Sequence, residues 1–257
     1  MLSTSHAIES HVSILEECNQ RGGRMLTLVD LIEAGTVDLP VAAYLAAVMH
    51  SGGSLLVGAR PGGAGKTTVM VALLNFLPDD MVIRPIDGRI SLLRALHDAE
   101  FGKTCYLAHE IGRGAYYAYV WGEQARQFVS LAGRGHTIAS NLHADTLSEL
   151  RAQLCEQNRV DPQDLSAVTL KVFLRVARGH DFRPQRWVSH VFEAVEGEDR
   201  LVWTGHAPGK FRREAESALI GRDAQRICRE LLEMLQAKGL RTMTQVRRAV
   251  VESLVLS

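Results

Sequence analysis

One stretch limits what this chain can fold into more than any other: residues 54–74, SLLVGARPGGAGKTTVMVALL. An apolar run, Leu55-Leu56-Val57, enters a glycine-rich turn that ends in Gly65-Lys66-Thr67-Thr68, and apolar residues then recur with helical spacing from Val69 through Leu73. The order is strand, loop, helix. In such a loop Gly62, Gly63 and Gly65 let successive backbone N–H groups turn inward around an anion, at the positive end of the helix that follows. Lys66 reaches the β- and γ-phosphates of a nucleotide, and the Thr67 hydroxyl ligates Mg²⁺. The residues follow G-x-x-x-x-G-K-[ST] except at the first position, where Arg60 replaces glycine. Arg60, Pro61, Gly62, Gly63, Ala64, Gly65, Lys66, Thr67 and Thr68 form the expected phosphate-binding set, and the pattern implies a nucleotide-binding P-loop.

The rest of the chain must then supply a sheet for that strand. With 257 residues, 46% hydrophobic and 23% charged, it is long enough for one α/β core and a small appendage. Lys plus Arg balance Asp plus Glu at 29 each, which argues against a dedicated nucleic-acid-binding protein. Cys18, Cys105, Cys155 and Cys228 are scattered without C-x-x-C spacing, so neither a disulfide framework nor a Cys-rich zinc site is expected and a reducing cytoplasm fits best. No run approaches the roughly 18 apolar residues of a membrane span. The N-terminus lacks the basic and apolar regions of a signal peptide.

Along the chain, apolar positions at Ile8, Val12, Ile14 and Leu15 suit a short amphipathic helix stopped by Arg21-Gly22-Gly23-Arg24. Thr27 caps a helix over 28–34, and Pro40 starts another that ends before Gly52-Gly53. Past the P-loop helix, strands are expected at 81–86, 103–110 and 137–144, and helices at 91–100, 123–132 and 147–157. This alternation predicts parallel strands with crossover helices and ligands at the strands' carboxyl ends. From about Ala167 the pattern changes to β-rich runs at 168–178, 186–196 and 200–205, an antiparallel meander. Residues 211–257 read as two or three helices. The expected division is a helix and linker over 1–23, a P-loop domain over 24–210 and a helical segment over 211–257.

A nucleotide hydrolase also needs an acidic side chain beside the P-loop, to hold Mg²⁺ through water or to orient the attacking water. Glu110, at the end of an apolar run, is the first candidate and Asp87 the second. His136 and His143 flank a strand, but their spacing puts them on opposite faces with no third ligand nearby, which excludes a metal site. One imidazole near the γ-phosphate is the better use. Arg89, Arg94, Arg113 and Arg134 flank strand ends, and any of them, from this chain or a neighbouring subunit, is a candidate for stabilising phosphate charge.

With these pieces placed, the chain resembles the ATPase domain of the type II/type IV secretion and pilus motor family, in particular the branch serving type IV secretion and tight-adherence pili. Four boxes over about residues 24–205 carry the resemblance. Arg60-Pro61-Gly62-Gly63-Ala64-Gly65-Lys66-Thr67 is similar to the family's G-P-T-G-S-G-K-T. Leu107-Ala108-His109-Glu110-Ile111-Gly112-Arg113 matches its apolar-Gly-Glu-Ile-Arg box, with His109 where glycine is usual. Gly135-His136 and His143-Ala144 match its histidine box, with Asn141 in place of threonine. The β-rich 171–205 is similar to its basic strand and "valine, glutamate, glycine" hairpin. The resemblance implies a RecA-like core with a mostly parallel sheet, a β-rich hairpin extension and C-terminal helices. It implies ATP and Mg²⁺ as cofactors, with Glu110, His136 and Asp87 as catalytic residues and Thr67 and Glu110 serving the metal, Glu110 through water. Expected partners are copies of the same chain in a ring, a hexamer or a mixed ring with a paralogue, and a membrane platform protein. The expected location is the cytoplasm, peripheral at the membrane's inner face through partners. The missing Asp-box glutamate, Arg60 and His109 motivate the alternative, a degenerate nucleotide-binding regulatory subunit with little or no ATPase activity, and three departures from the family's pattern matter. Ile86-Asp87 lacks the family's Glu-Asp, residues 114–122 look inserted, and only a short segment stands where an N-terminal domain is usual.

Overall fold

A computed structural model of the chain describes residues 4–19, 22–114, 116–179 and 182–254. Its centre is one nine-stranded sheet in the order β2-β3-β5-β1-β6-β7-β8-β9. The strands are β1 (Leu55–Gly58), β2 (Val82–Pro85), β3 (Thr104–Ile111), β4 (Tyr119–Val120), β5 (Thr137–Leu142), β6 (Leu170–Arg178), β7 (Pro184–Val195), β8 (Glu198–Ala207) and β9 (Lys210–Arg213), with β4 paired to β3 beside the main path. Pairings from β2 across to β6 are parallel, and those from β6 to β9 are antiparallel. The chain is thus α/β with a mostly parallel sheet and an antiparallel extension, as the alternation of apolar runs implies.

Period-two alternation of apolar residues splits the interior into two layers. Leu55 and Val57 of β1 join Cys105, Leu107, Leu170 and Val172 on one face, while Leu56 joins Tyr106, Ala108 and Phe173 on the other. The first face is covered by α1 (Thr4–Glu17), α2 (Leu28–Glu33), α3 (Leu39–His50), α4 (Lys66–Leu74), and the C-terminal pair α9 (Arg222–Ala237) and α10 (Met243–Ser253). The second is covered by α5 (Arg89–Leu96), α6 (Glu123–Gly133), α7 (Leu147–Arg151), which continues as a π-helical turn over Ala152–Gln157, and α8 (Pro162–Ser166). Every residue from Val41 to Met49 of α3 is buried, because α9 closes its outer side. The Asp38 carboxylate caps that helix by accepting from the Val41 N–H at 2.9 Å. No helix among the described residues is long and apolar enough to cross a membrane.

Three features differ from the sequence reading. The 168–178 run is not only the start of a meander. Leu170 to Phe173 pair in parallel with Leu55 to Gly58, so β6 belongs to the parallel sheet on one edge and to the hairpin on the other. The 211–257 stretch does not begin as helix, since Phe211, Arg212 and Arg213 lie in β9 against β8. Two short elements, β4 and α8, have too few residues to show periodicity. Arg21, in the expected helix stop, and Ala115, in the expected insertion, lie outside the described residues.

The far end of α4 is sealed by polar groups from other elements. A helix's last carbonyls lack intrahelical partners and favour cations. Here Arg247 of α10 donates to the Asn75 and Leu77 carbonyls and, at 2.9 Å, to Pro78. His11 of α1 meets the Leu74 carbonyl at 3.2 Å. Burial, with the Arg247 charge behind it, pushes the His11 imidazole down to about 3, and burial lowers Arg247 to about 10.

Candidate functional site

Parallel strands bring all their carboxyl ends to one edge of the sheet, and there the loop after β1 turns into α4. Gly63 at φ +77 and Gly65 at φ +92 adopt the left-handed backbone that L side chains resist, so glycine is required at both positions. The loop residues Gly62 to Thr68 wall a cleft of about 640 Å³. Its other walls are His109, Glu110 and Tyr119 from β3 and β4, His143 after β5, Arg186 of β7, and Cys18, Arg24, Met25 and Leu26 from the N-terminal segment. One strand, β5, separates the P-loop strand from the Glu110 strand. That spacing brings Lys66 and the Glu110 carboxylate to the same end of the sheet, on facing walls of the cleft.

The charged groups meet in this cleft. Lys66 Nζ donates to the Ala59 carbonyl at 3.0 Å and lies 3.5 Å from Glu110 Oε2. Glu110 Oε1 accepts from His143 Nε2 at 2.6 Å, and His143 Nδ1 lies 3.4 Å from Lys66 Nζ. Burial lowers the Lys66 ammonium from its ordinary range, and the Glu110 charge partly restores it. The Thr67 hydroxyl accepts from Asn141 Nδ2 at 3.2 Å, while the same amide donates to the His109 carbonyl at 2.9 Å. Asn141 is fully buried and its Oδ1 has no partner among the described residues. The Thr67 hydroxyl and the Glu110 carboxylate are oxygen donors on the cleft wall, a set that fits Mg²⁺, which typically takes few protein ligands and several waters. No cluster of three or more His, Cys, Asp or Glu suited to a metal occurs among the described residues.

Two expected catalytic residues lie elsewhere. His136 precedes β5 and therefore stands at the amino edge of the sheet, a full strand of roughly 20 Å from the cleft. It is buried, its ring 4.9 Å from Phe101 and 5.4 Å from Tyr106, with Nε2 at 3.2 Å from the Asp98 carbonyl. His143, at the strand's other end, is the histidine that reaches Lys66 and Glu110. Asp87 follows β2, the edge strand, with β3 and β5 between it and β1. Its carboxylate is exposed, outside the cleft, and its backbone N–H is spent on Ser91 Oγ at 3.1 Å.

Among the loop residues, the Arg60 side chain turns away to Glu149 at 2.8 Å and Pro61 does not line the cleft. The arginines expected near strand ends are also spent or remote. Arg113 stacks over Trp121, Arg134 donates to the Leu96 carbonyl, and Arg89 and Arg94 are exposed on α5. The arginine that does reach the loop is Arg186, whose Nε donates to the Gly63 carbonyl at 2.8 Å. Sequence reasoning missed it because it sits inside a strand, more than a hundred residues past the loop, and only the β6–β7 register turns it inward.

His109 occupies the position where the resembled box carries glycine. Its ring stacks on Tyr119 at 5.9 Å and its Nε2 lies 3.4 Å from the Cys18 carbonyl, so it ties the N-terminal segment to the Glu110 strand. Burial lowers its imidazole below the usual range.

No protein-family model and no curated protein matches the chain. Among solved structures, it is similar to the VirB11 ATPase from the Brucella suis type IV secretion system in complex with sulphate, with 22% identity over 65% of this chain and 54% of that one and a TM-score of 0.43. It is also similar to the ATPase DotB of Legionella pneumophila, with 12% identity over 90% and 59% and a TM-score of 0.48. For DotB of Yersinia pseudotuberculosis the identity is 11% over 87% and 63%, with a TM-score of 0.47. The matched region spans between 54% and 63% of those chains.

Proposed function

We propose that the chain binds ATP with Mg²⁺ and hydrolyses it as a motor subunit of a secretion or type IV pilus-like system. The observation that carries the nucleotide reading is the convergence of Lys66, Thr67, Glu110 and His143 on one cleft beneath the glycine loop. The loop amides of 62–67 and the α4 N-terminus hold phosphate oxygens. Lys66 leaves the Ala59 carbonyl for the phosphates, Thr67 serves the metal, and Glu110 holds a water for attack, with His143 fixing the carboxylate. The bound ion neutralises charge on the phosphate oxygens. The motor reading rests on the sequence boxes. It implies a ring, hexameric or mixed with a paralogue, coupled to a membrane platform protein from the cytoplasmic side. Purified wild type hydrolysing ATP, with Lys66→Ala and Glu110→Gln both inactive, supports the reading. Wild type that neither binds nor turns over ATP sinks it. Particle symmetry with and without an ATP analogue tests the ring.

A second reading is favoured by Asp87, which lies outside the cleft and lacks the preceding glutamate. The chain is then a nucleotide-binding regulatory subunit. Tight ATP binding with wild-type turnover no faster than Glu110→Gln selects it over the motor.

A further inference from the structure

We propose that Arg186 completes the phosphate site from within the same chain, placing a guanidinium on the nucleotide's phosphates opposite Lys66. The proposal rests on the nucleotide-binding reading above and adds a residue that was not among the expected site residues.

The Arg186 side chain lies along the loop. Its Cδ would stand 3.5 Å from a Cβ at Gly65, and its Nε bonds the Gly63 carbonyl at 2.8 Å. Nη1 meets the Pro184 carbonyl at 3.3 Å. These are its hydrogen bonds among the described residues, and a guanidinium carries more N–H donors than they use. Among those residues no carboxylate pairs with it, whereas Arg60, Arg212 and Arg213 are paired with Glu149, Glu214 and Glu216. A half-buried cation without a counter-ion in a cleft lined by phosphate-binding amides fits an anionic ligand, and the planar fork suits phosphate oxygens.

The strand holds this arginine in place. Arg186 pairs with Val176 across β6, and the two residues after it are held, Val188 N–H by the Thr36 carbonyl at 2.8 Å and Trp187 Nε1 by the Gly205 carbonyl at 3.1 Å. An arginine on a paired strand loses little freedom when it takes a ligand, and a charge-stabilising arginine supplied in cis needs no neighbouring subunit.

The test is titration calorimetry of MgATP and MgADP into wild type, Arg186→Gln and Arg186→Lys at low and moderate salt. Gln keeps a neutral donor for the Gly63 carbonyl but loses the charge, and Lys keeps the charge. The expected result is ATP binding about tenfold or more weaker in Arg186→Gln, a loss on the scale of one hydrogen bond to a charged group, with a shallower salt dependence. Arg186→Lys, which keeps the charge but not the fork, recovers part of that loss. Equal affinities for wild type and Arg186→Gln, or equal losses for Gln and Lys, overturn the assignment and leave Arg186 as a prop for the loop. Wild type that binds neither nucleotide overturns the underlying reading and this assignment with it.

Discussion

The two edges of the sheet carry the same kinds of side chain and use them differently. At the amino edge, His11, His136, Asn75 and Arg247 are buried and committed to main-chain carbonyls or aromatic rings of the chain itself. At the carboxyl edge, Lys66, Glu110, His143 and Arg186 surround a cleft of about 640 Å³ and touch one another or the loop. Helix α4 links the two edges. Its last carbonyls are answered by Arg247 and His11, while its first N–H groups face the cleft. The amino-edge groups are sealed inside the fold, whereas the carboxyl-edge groups line an open cleft that a ligand can enter.

Substitutions at each edge separate those roles. The largest effect is expected at Arg247→Met, which strips the Asn75, Leu77 and Pro78 carbonyls of their donor and costs about 3 kcal/mol in urea unfolding, with nucleotide affinity per folded molecule preserved. Lys66→Ala reverses the pattern. ATP affinity falls about a hundredfold by calorimetry, the scale of two hydrogen bonds to a charged group, while thermal stability stays at or above wild type because a desolvated ammonium is removed. If Lys66→Ala destabilises as much as Arg247→Met, the division between the edges fails.

Acid sharpens the comparison further. His11 has its folded value depressed to about 3 against 6.5 unfolded, so the unfolded chain binds a proton that the folded chain refuses. Stability is therefore present above the unfolded value and lost as pH falls from about 6.5 toward 3, by about 2 kcal/mol between pH 7 and pH 5. Unfolding of wild type against His11→Asn at the two pH values isolates this share. The smallest expected effect contrasts the paired histidines. His143→Ala lowers ATP turnover about tenfold by releasing Glu110, whereas His136→Leu leaves turnover unchanged and alters only stability. A larger turnover loss at His136 contradicts the placement.

Much of this was legible in the sequence, for physical reasons. Residues 54–74 announce strand, loop and helix because glycines, a lysine and two apolar periods occur in a fixed order, and Glu110 is marked by the apolar run that it ends. The two histidines were separable only through the expected strand direction, which was not applied to them. They share one box, the resemblance implied His136, and the direction of β5 assigns His143 to the cleft instead. Asp87 was the second acidic candidate after Glu110 because it too ends an apolar run, but β2 turns out to be the edge strand. Arg186 was hidden because its role depends on strand pairing across a long sequence separation. The β6 run misled in the same way, since its two edges pair with opposite polarity.

The most direct test of the account is a structure of the protein with Mg²⁺ and a non-hydrolysable ATP analogue. In that complex the triphosphate is expected over residues 62–67, with Lys66 Nζ moved from the Ala59 carbonyl to phosphate oxygens and His136 unmoved between Phe101 and Tyr106. An analogue bound away from the loop, or a Lys66 that keeps its bond to Ala59 with the analogue present, contradicts it.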